Sequence, residues 1–152
     1  LDSVKPFLYN LFNDKYIIKL PQPFRSMIAF LISTLRNKKA QGIYSHTGNK
    51  SPILEETIAQ QKAIEAELNK KGGDWKVFIA MRHWHPFAEE AIAEINKYGP
   101  EQVILLPLYP QFSTTTTASS VEDFKKKWQA NGNDVNIIKT ICCYPLNQGF
   151  IN

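Results

Sequence analysis

Three apolar segments alternate with amphipathic segments along the second half of the sequence, and this alternation constrains the fold more than any other feature. The apolar segments are residues 76–81, 103–108 and 135–142. Between them, residues 87–97 and 119–130 repeat apolar side chains at helical spacing. Strands that are apolar throughout are buried on both faces, which is typical of a parallel sheet covered by helices. The sequence therefore predicts an α/β fold.

Two short amphipathic helices are predicted near the start of the chain, over residues 3–13 and 24–35. Their apolar positions are Val4, Phe7, Leu8, Leu11 and Phe12 in the first, and Phe24, Ile28, Leu31 and Leu35 in the second. Residues 42–52 contain turn-forming Gly48-Asn49 and predict a loop. The basic cluster Arg36-Asn37-Lys38-Lys39 suits the negative end of the second helix, so it also has a purely structural explanation.

Capping signals define the remaining helices. Ser51-Pro52 predicts a helix start, and Gly72-Gly73 stops that helix after about Lys70. Gly99 closes the helix over 87–97, while Ser119 and Glu122 fit a capping box for the helix over 119–130. No repeat or linker interrupts the chain, so we expect a single domain over 1–152.

Composition narrows the class of protein. The net charge is +4, which is too small to predict nucleic-acid binding but suits an acidic small molecule or an anionic membrane surface. No run of about 18 apolar residues predicts a membrane-spanning helix. The only two cysteines, Cys142 and Cys143, are adjacent at a predicted strand end. Because neighbouring cysteines rarely bridge, we expect buried, reduced thiols and a cytoplasmic protein.

The stretch Met81-Arg82-His83-Trp84-His85-Pro86 concentrates the most chemistry. It lies where a predicted strand leads into a helix, the place where parallel α/β sheets bind ligands. Arg82 can hold an anion, and His83 or His85 can move a proton or hold a metal near neutral pH. A structural role for either histidine remains open, and we expect His85 to cap the next helix. His46 has the pattern of an isolated, solvated loop residue.

A second polar stretch, Ser113-Thr114-Thr115-Thr116-Thr117, precedes a predicted helix and offers hydroxyl and N–H groups to an anion. A phosphate- or nucleotide-binding domain of flavodoxin type is therefore one alternative. The stretch lacks the glycine that close backbone approach to phosphate usually needs, so capping and loop packing explain it better.

Four separated motifs together resemble the ferrochelatase family in order and spacing. They are Val4-Lys5-Pro6-Phe7-Leu8-Tyr9-Asn10-Leu11-Phe12-Asn13-Asp14, then Tyr44 with Ser51-Pro52-Ile53, then Met81-Arg82-His83-Trp84-His85-Pro86-Phe87, and Leu108-Tyr109-Pro110-Gln111-Phe112-Ser113. The resemblance implies insertion of Fe²⁺ into protoporphyrin IX to give protohaem. It also implies one of two similar Rossmann-like halves, here the N-terminal one, without the family's first strand and without the histidine and glutamate of the second half. A chelatase for another tetrapyrrole is a close alternative.

The resemblance also assigns residues. Positions that match the propionate-binding set are Arg36, Lys39, Tyr44 and Ser51; those that match the apolar lip for porphyrin entry from the membrane surface are Leu8, Leu11 and Ile17. Core packing is the alternative for Leu8 and Leu11. Arg82 and His83 match the catalytic pair facing the macrocycle, with His83 also a candidate metal ligand, and Tyr109 matches an aromatic beside the porphyrin.

Cofactor and partner expectations follow from the same resemblance. Some members hold a [2Fe–2S] cluster with one ligand at the position of Thr114, and because threonine offers no thiolate we expect no cluster and no other tightly bound cofactor. The expected substrates are protoporphyrin IX and Fe²⁺, with peripheral contact to a membrane surface and no nucleic acid. A chain without the second half is expected to bind porphyrin or haem without turnover.

Overall fold

The computed structural model describes residues 2–45 and 51–151. The chain divides into two compact units, Leu1–Ile79 and Ala80–Asn152. Since His46 and the predicted turn at Gly48-Asn49 lie outside the described residues, those two predictions stay open. The single domain over 1–152 likewise stays a prediction. Among the described residues, no helix combines the length and the hydropathy that crossing a bilayer requires.

The predicted α/β class is confirmed, because helices precede and alternate with the strands of a parallel sheet. The first unit contains α1 (Val4–Phe12), α2 (Phe24–Ser45) and α3 (Ile53–Lys70). The second contains α4 (Ala88–Tyr98), β1 (Val103–Leu105), a π-helical turn (Thr114–Ala118), α5 (Ser119–Ala130), a 3-10 turn (Val135–Ile137), β2 (Ile138–Thr140) and α6 (Gln148–Ile151).

In the first unit, α1 packs on α2 through small side chains. Ala29 and Ser33, four residues apart on α2, are fully buried, and Val4 and Leu8 are the buried residues of α1. Two cations also lie over aromatic rings of the other helix: Lys5 over Phe30 and Arg36 over Phe12. Small residues at this contact let the two helix backbones approach closely. Most of the larger apolar side chains of α2 are exposed.

The second helix is longer and its predicted apolar stripe is less buried than the sequence indicates. It continues to Ser45, so the loop predicted from residue 42 is wrong over residues 42–45. Gly42 is accommodated inside the helix, and the Ser45 hydroxyl donates to the Gly42 carbonyl at 2.7 Å. Phe24 and Leu31 are each 57% exposed. The buried residues of α2 are Ala29 and Ser33 instead.

The predicted strand over 76–81 is wrong. Polar side chains of α3 bind this segment where a neighbouring strand would: Gln61 donates to the Val77 carbonyl at 2.5 Å, and the Glu65 carboxylate accepts from Val77 N–H at 2.8 Å. The hydrogen bond from Val77 is the main cause of a lowered Glu65 pKa. These bonds satisfy the Val77 backbone without a sheet ladder.

The sheet of the second unit consists of β1 and β2, paired in parallel with Val103 opposite Ile138 and Leu105 opposite Thr140. Both strands are shorter than predicted. Pro107 lacks the N–H that would extend β1. Ahead of β2, the Asp134 carboxylate accepts from Asn136 N–H at 2.9 Å and forms a local turn in place of a strand start.

The core of the second unit lies between α4 and α5. Ile92 is fully buried on α4, and Trp128 on α5 is 1% exposed. Trp128 stacks on Phe124 with ring centroids 6.0 Å apart, and its indole N–H donates to the Asp134 carbonyl at 2.9 Å. The tryptophan therefore joins the end of α5 to the turn that leads into β2.

Two further local predictions are wrong. Cys142 and Cys143 are free thiols as expected, but both are exposed and not buried, because the chain leaves the sheet after Thr140. The capping box of Ser119 and Glu122 does not form: Thr114–Ala118 already winds as a π-helical turn, so Ser119 is a helical residue and its hydroxyl binds elsewhere.

Candidate functional site

The site in the second unit begins with a closed loop ahead of α4. Met81 N–H donates to the Pro86 carbonyl at 2.7 Å, and Met81 also bridges to Phe87. This closure presents Arg82 and His83 from one short loop. Apolar residues precede this loop and helix α4 follows it. The loop between them contains the Arg82 cation and the His83 imidazole.

Two side chains of α5 orient Arg82. Its Nε donates to the Ser119 hydroxyl at 2.9 Å, and its Nη1 lies 3.6 Å from the Asp123 carboxylate. Ser119 is 1% exposed, so the Arg82 side chain is anchored at a buried point. Lys127 completes the network by bridging Asp123 and Glu89, with both distances 2.8 Å. A guanidinium held in this way presents a fixed charge to an anionic or polar ligand.

His83 and Tyr109 belong to the same unit as Arg82. His83 is half-buried, and Tyr109 is 43% exposed beyond the carboxyl end of β1. Tyr109 lies in a fixed segment, since the next residue, Pro110, accepts a hydrogen bond from Tyr144 N–H at 2.9 Å. The unit thus contains the predicted cation, imidazole and phenol.

His85 makes the contacts of a helix-start residue. Its Nδ1 lies 2.7 Å from the Glu90 carboxylate, which also accepts from Phe87 N–H at 2.6 Å at the start of α4. The ring of His85 makes edge contacts with Trp84 and Phe87. These contacts fit the expectation that His85 caps the next helix.

Because the Glu90 carboxylate caps α4, we expect the stability of the fold to depend on pH. The hydrogen bond from Phe87 N–H, followed by the interaction with His85, lowers the Glu90 pKa from its ordinary value of 4.5. Its stabilising effect is therefore fully present above pH 4.5 and is lost as the pH falls through the lower folded-state pKa. We expect the urea midpoint of the wild type to exceed that of Glu90→Gln at neutral pH, and the difference to shrink on acidification.

Glu94→Gln removes one exposed carboxylate from the same helix and serves as the control. A difference between wild type and Glu90→Gln that stays constant or grows on acidification would contradict the capping role.

The propionate-binding candidates lie in the first unit. Arg36 and Lys39 are exposed on α2, and Tyr44 is half-buried near its end. The Arg36 guanidinium lies over the Phe12 ring, 5.8 Å from the ring centroid, which restricts the side chain without using its N–H groups. Ser51 is exposed, and its hydroxyl accepts from Ile53 N–H at 3.3 Å at the start of α3.

The three apolar lip candidates differ in exposure. Leu8 is buried in the α1–α2 core, whereas Leu11 and Ile17 are half-buried. Ile17 N–H donates to the Asp14 carbonyl at 3.1 Å, in a turn that follows α1. Burial favours the core role for Leu8; the lip role stays a prediction for all three residues.

The threonine stretch forms a π-helical turn continuous with α5, and not the open loop that a phosphate site would use. Ala118 N–H donates to the Ser113 carbonyl at 3.1 Å, so these two backbone groups bind each other within the turn. Within residues 2–45 and 51–151, no cluster of three or more histidine, cysteine or acidic side chains is arranged to hold a metal ion.

Sequence reasoning missed the residues that orient Arg82. The sequence predicts a capping role for Ser119 and no particular role for Asp123. The available signal was their spacing: four residues apart on a predicted helix, they share one face, and Lys127 continues that face. Pairing this polar face with Arg82, 37 residues earlier than Ser119, required the tertiary structure.

The ferrochelatase family model matches this chain over residues 1–152. The ferrochelatase of Rickettsia felis is 54% identical over 153 residues, which cover 99% of this chain and 43% of the relative. The ferrochelatases of Hyphomonas neptunium and of Wolbachia from Drosophila simulans are 48% and 50% identical, each over 99% of this chain.

The chain spans 43% of the length of the Rickettsia felis relative and matches the N-terminal part of these proteins. High identity over nearly every residue, together with the Arg82–His83 loop and the α/β architecture, leads to one conclusion. This chain belongs to the ferrochelatase family.

Proposed function

We propose that this chain supplies the porphyrin-binding half of an enzyme that inserts Fe²⁺ into protoporphyrin IX to form protohaem, a lyase of haem biosynthesis. The observation that carries the proposal is the fixed Arg82 next to His83 in the closed loop 81–86, in a chain that matches the ferrochelatase family throughout. A cation and an imidazole side by side suit a substrate that exchanges protons for a metal ion.

Porphyrin affinity comes mainly from charge. Protoporphyrin IX carries two propionate groups, and Arg36 and Lys39 are exposed cations on one helix that can pair with carboxylates. Hydroxyl groups of Tyr44 and Ser51 complete the hydrogen bonding of these carboxylates. Leu11 and Ile17 offer half-buried apolar surface to the macrocycle edge.

The chemical step is an exchange of two pyrrole protons for one divalent cation. A saddled macrocycle tilts its pyrrole N–H groups out of plane, which exposes lone pairs to the metal and protons to a base. His83 accepts one of the two protons and water takes the second, or His83 passes the incoming Fe²⁺ to the ring nitrogens and both protons leave to water. Ser119 and Asp123 act on Arg82 as positioning residues, so that its charge stays beside His83.

Fe²⁺ enters as a substrate, and we propose no resident cofactor. Thr114, at the position of a cluster ligand in some members, carries a hydroxyl in place of the thiolate that a [2Fe–2S] cluster requires. The proposed location is the cytoplasm, with peripheral contact to a membrane surface from which porphyrin is taken up.

Arg36 gives a direct test of propionate binding. We expect Arg36→Ala to weaken protoporphyrin binding by about tenfold or more, because a charge-assisted hydrogen bond contributes about 1.5–3 kcal/mol. The measurement is a titration of the 152-residue chain with protoporphyrin IX, followed by the change in porphyrin absorbance. Lys38→Ala removes one charge from an exposed position of the same helix and is the matched control. Equal affinities of Arg36→Ala and Lys38→Ala would contradict the propionate role.

A binding module without turnover is the alternative for the chain alone, because within residues 2–45 and 51–151 no cluster of three or more histidine, cysteine or acidic side chains is arranged to hold a metal ion. Incubation of the chain with protoporphyrin and Fe²⁺, or Zn²⁺ as a stable substitute, separates the two possibilities. Porphyrin binding with metalloporphyrin formation at the uncatalysed rate supports the module. Formation above that rate shows that these 152 residues catalyse insertion by themselves.

A further inference from the structure

The adjacent thiols Cys142 and Cys143 form a dithiol that the proposed metal insertion does not use. Both are exposed and free, and their sulfur atoms lie 3.1 Å apart, with Cys143 donating to Cys142. This interaction with Cys143 is the main cause of a raised Cys142 pKa. The two sulfurs therefore face each other in the reduced state, and the Cys142 thiol keeps its proton at neutral pH.

Hydrogen bonds on both sides hold the dithiol in place. Before it, Ile141 N–H donates to the Leu105 carbonyl at 2.9 Å; after it, Tyr144 N–H donates to the Pro110 carbonyl at 2.9 Å. The thiols thus lie just beyond the carboxyl ends of β1 and β2, the end at which parallel sheets bind ligands. A pinned backbone reduces the entropy lost when both thiols bind one atom.

The distance between the two sulfur atoms can be compared with the bond angles of the centres that bind thiols. Two sulfurs at ~2.3 Å from a shared centre and 3.1 Å from each other subtend an angle of about 85°. A linear two-coordinate ion would hold them about 4.6 Å apart, and tetrahedral zinc needs a wider angle and further protein ligands. A pyramidal trivalent centre, whose lone pair compresses its bond angles towards a right angle, matches the observed spacing.

We propose that Cys142 and Cys143 form a chelating site for thiophilic trivalent metalloids, of which trivalent arsenic is the representative. An organic arsenoxide forms two As–S bonds with the pair. Its oxygen leaves as water with the two thiol protons, and arsenic stays trivalent, so no oxidant or reductant is needed. The site lies in the second unit, and neither thiol is among the residues assigned to the porphyrin.

Phenylarsine oxide is the probe for this site on the 152-residue chain. We expect one phenylarsine group per chain by intact mass, stable against the monothiol 2-mercaptoethanol and removed by the dithiol 2,3-dimercaptopropanol. In Cys142→Ser and Cys143→Ser, one As–S bond remains. The 2-mercaptoethanol concentration that removes half of the arsenical should then fall at least about tenfold, because the second bond is no longer intramolecular.

Iodoacetamide labelling of the remaining thiol in each single variant controls for accessibility. Both serines replace exposed side chains, so we expect the variants to keep the fold. Cys142→Ala and Cys143→Ala repeat the comparison without the serine hydroxyl. A wild-type adduct that 2-mercaptoethanol removes as easily as it does from the single variants would overturn the proposal. Stronger protection of the thiols by Zn²⁺ than by the arsenical would overturn it as well.

Discussion

Replacing His83 by alanine is expected to lower the rate of metal insertion by about 10²–10⁴-fold, the usual contribution of a positioned general base. Porphyrin affinity should change far less, because the cations proposed to bind the propionates lie on α2 and are untouched. The measurement uses a graft in which this chain replaces the matching N-terminal part of the Rickettsia felis ferrochelatase, to which it is 54% identical. Steady-state kinetics then separate kcat from KM for the porphyrin.

His85→Ala is the matched control, since it removes a second imidazole from the same loop. His85 binds Glu90 at the start of α4, so its loss should affect stability near the helix start more than turnover. Equal losses of turnover in the two variants would show that the loop matters only as a structural element. An unchanged rate for His83→Ala would remove His83 from the proposed chemistry.

Trp128→Ala is expected to lower the free energy of unfolding by about 3–5 kcal/mol, the usual range for truncating a buried tryptophan. The substitution removes the stacking on Phe124 and the hydrogen bond to the Asp134 carbonyl, and leaves a cavity beneath α5. Because this tryptophan joins α5 to the turn before β2, the sheet should be weakened together with the helix. Urea denaturation followed by circular dichroism measures the loss.

Trp75→Ala provides the same change of side chain at a position that is 39% exposed. Its backbone is held by Asn69 through two hydrogen bonds that do not depend on the indole. We expect a loss of about 1 kcal/mol or less. Similar losses at the two positions would contradict the account in which Trp128 is central to the core of the second unit.

The elements predicted best are those specified by neighbouring residues. Helix α4 ends as expected because Gly99 adopts the left-handed conformation, with φ 69°, that a closing glycine allows. Helix α5 repeats Phe124 and Trp128 at helical spacing, and both are buried. In each case a local backbone preference and the core-facing pattern agree, so the sequence alone suffices.

The elements predicted worst depend on residues far away in the sequence. The apolar segment at 76–81 has the composition of a strand, yet Gln61 and Glu65 of α3 bind its backbone instead. The exposure of Cys142 depends on where the sheet ends and not on the apolar residues before it. The periodicity of neighbouring residues does not predict which residues far apart in the sequence bind each other.

The candidate site likewise contains residues that the sequence alone predicts and residues that it does not predict. The Arg82–His83 loop was located from its sequence because a cation and two imidazoles follow an apolar segment directly. The partners that fix Arg82 lie on another helix, and the resemblance that assigns Arg36 and Tyr44 to propionates came from separated motifs and not from physical chemistry alone. The net charge of +4 suits an acidic small molecule or an anionic membrane surface, whereas the proposal of a porphyrin rests on the family.

Metal insertion by the graft tests the central claim most directly. The account predicts that the graft, supplied with protoporphyrin IX and Fe²⁺, forms protohaem well above the uncatalysed rate, and that the 152-residue chain alone binds the porphyrin saturably. A folded graft that binds porphyrin but forms protohaem only at the uncatalysed rate would contradict the claim that this chain supplies a working half of the enzyme.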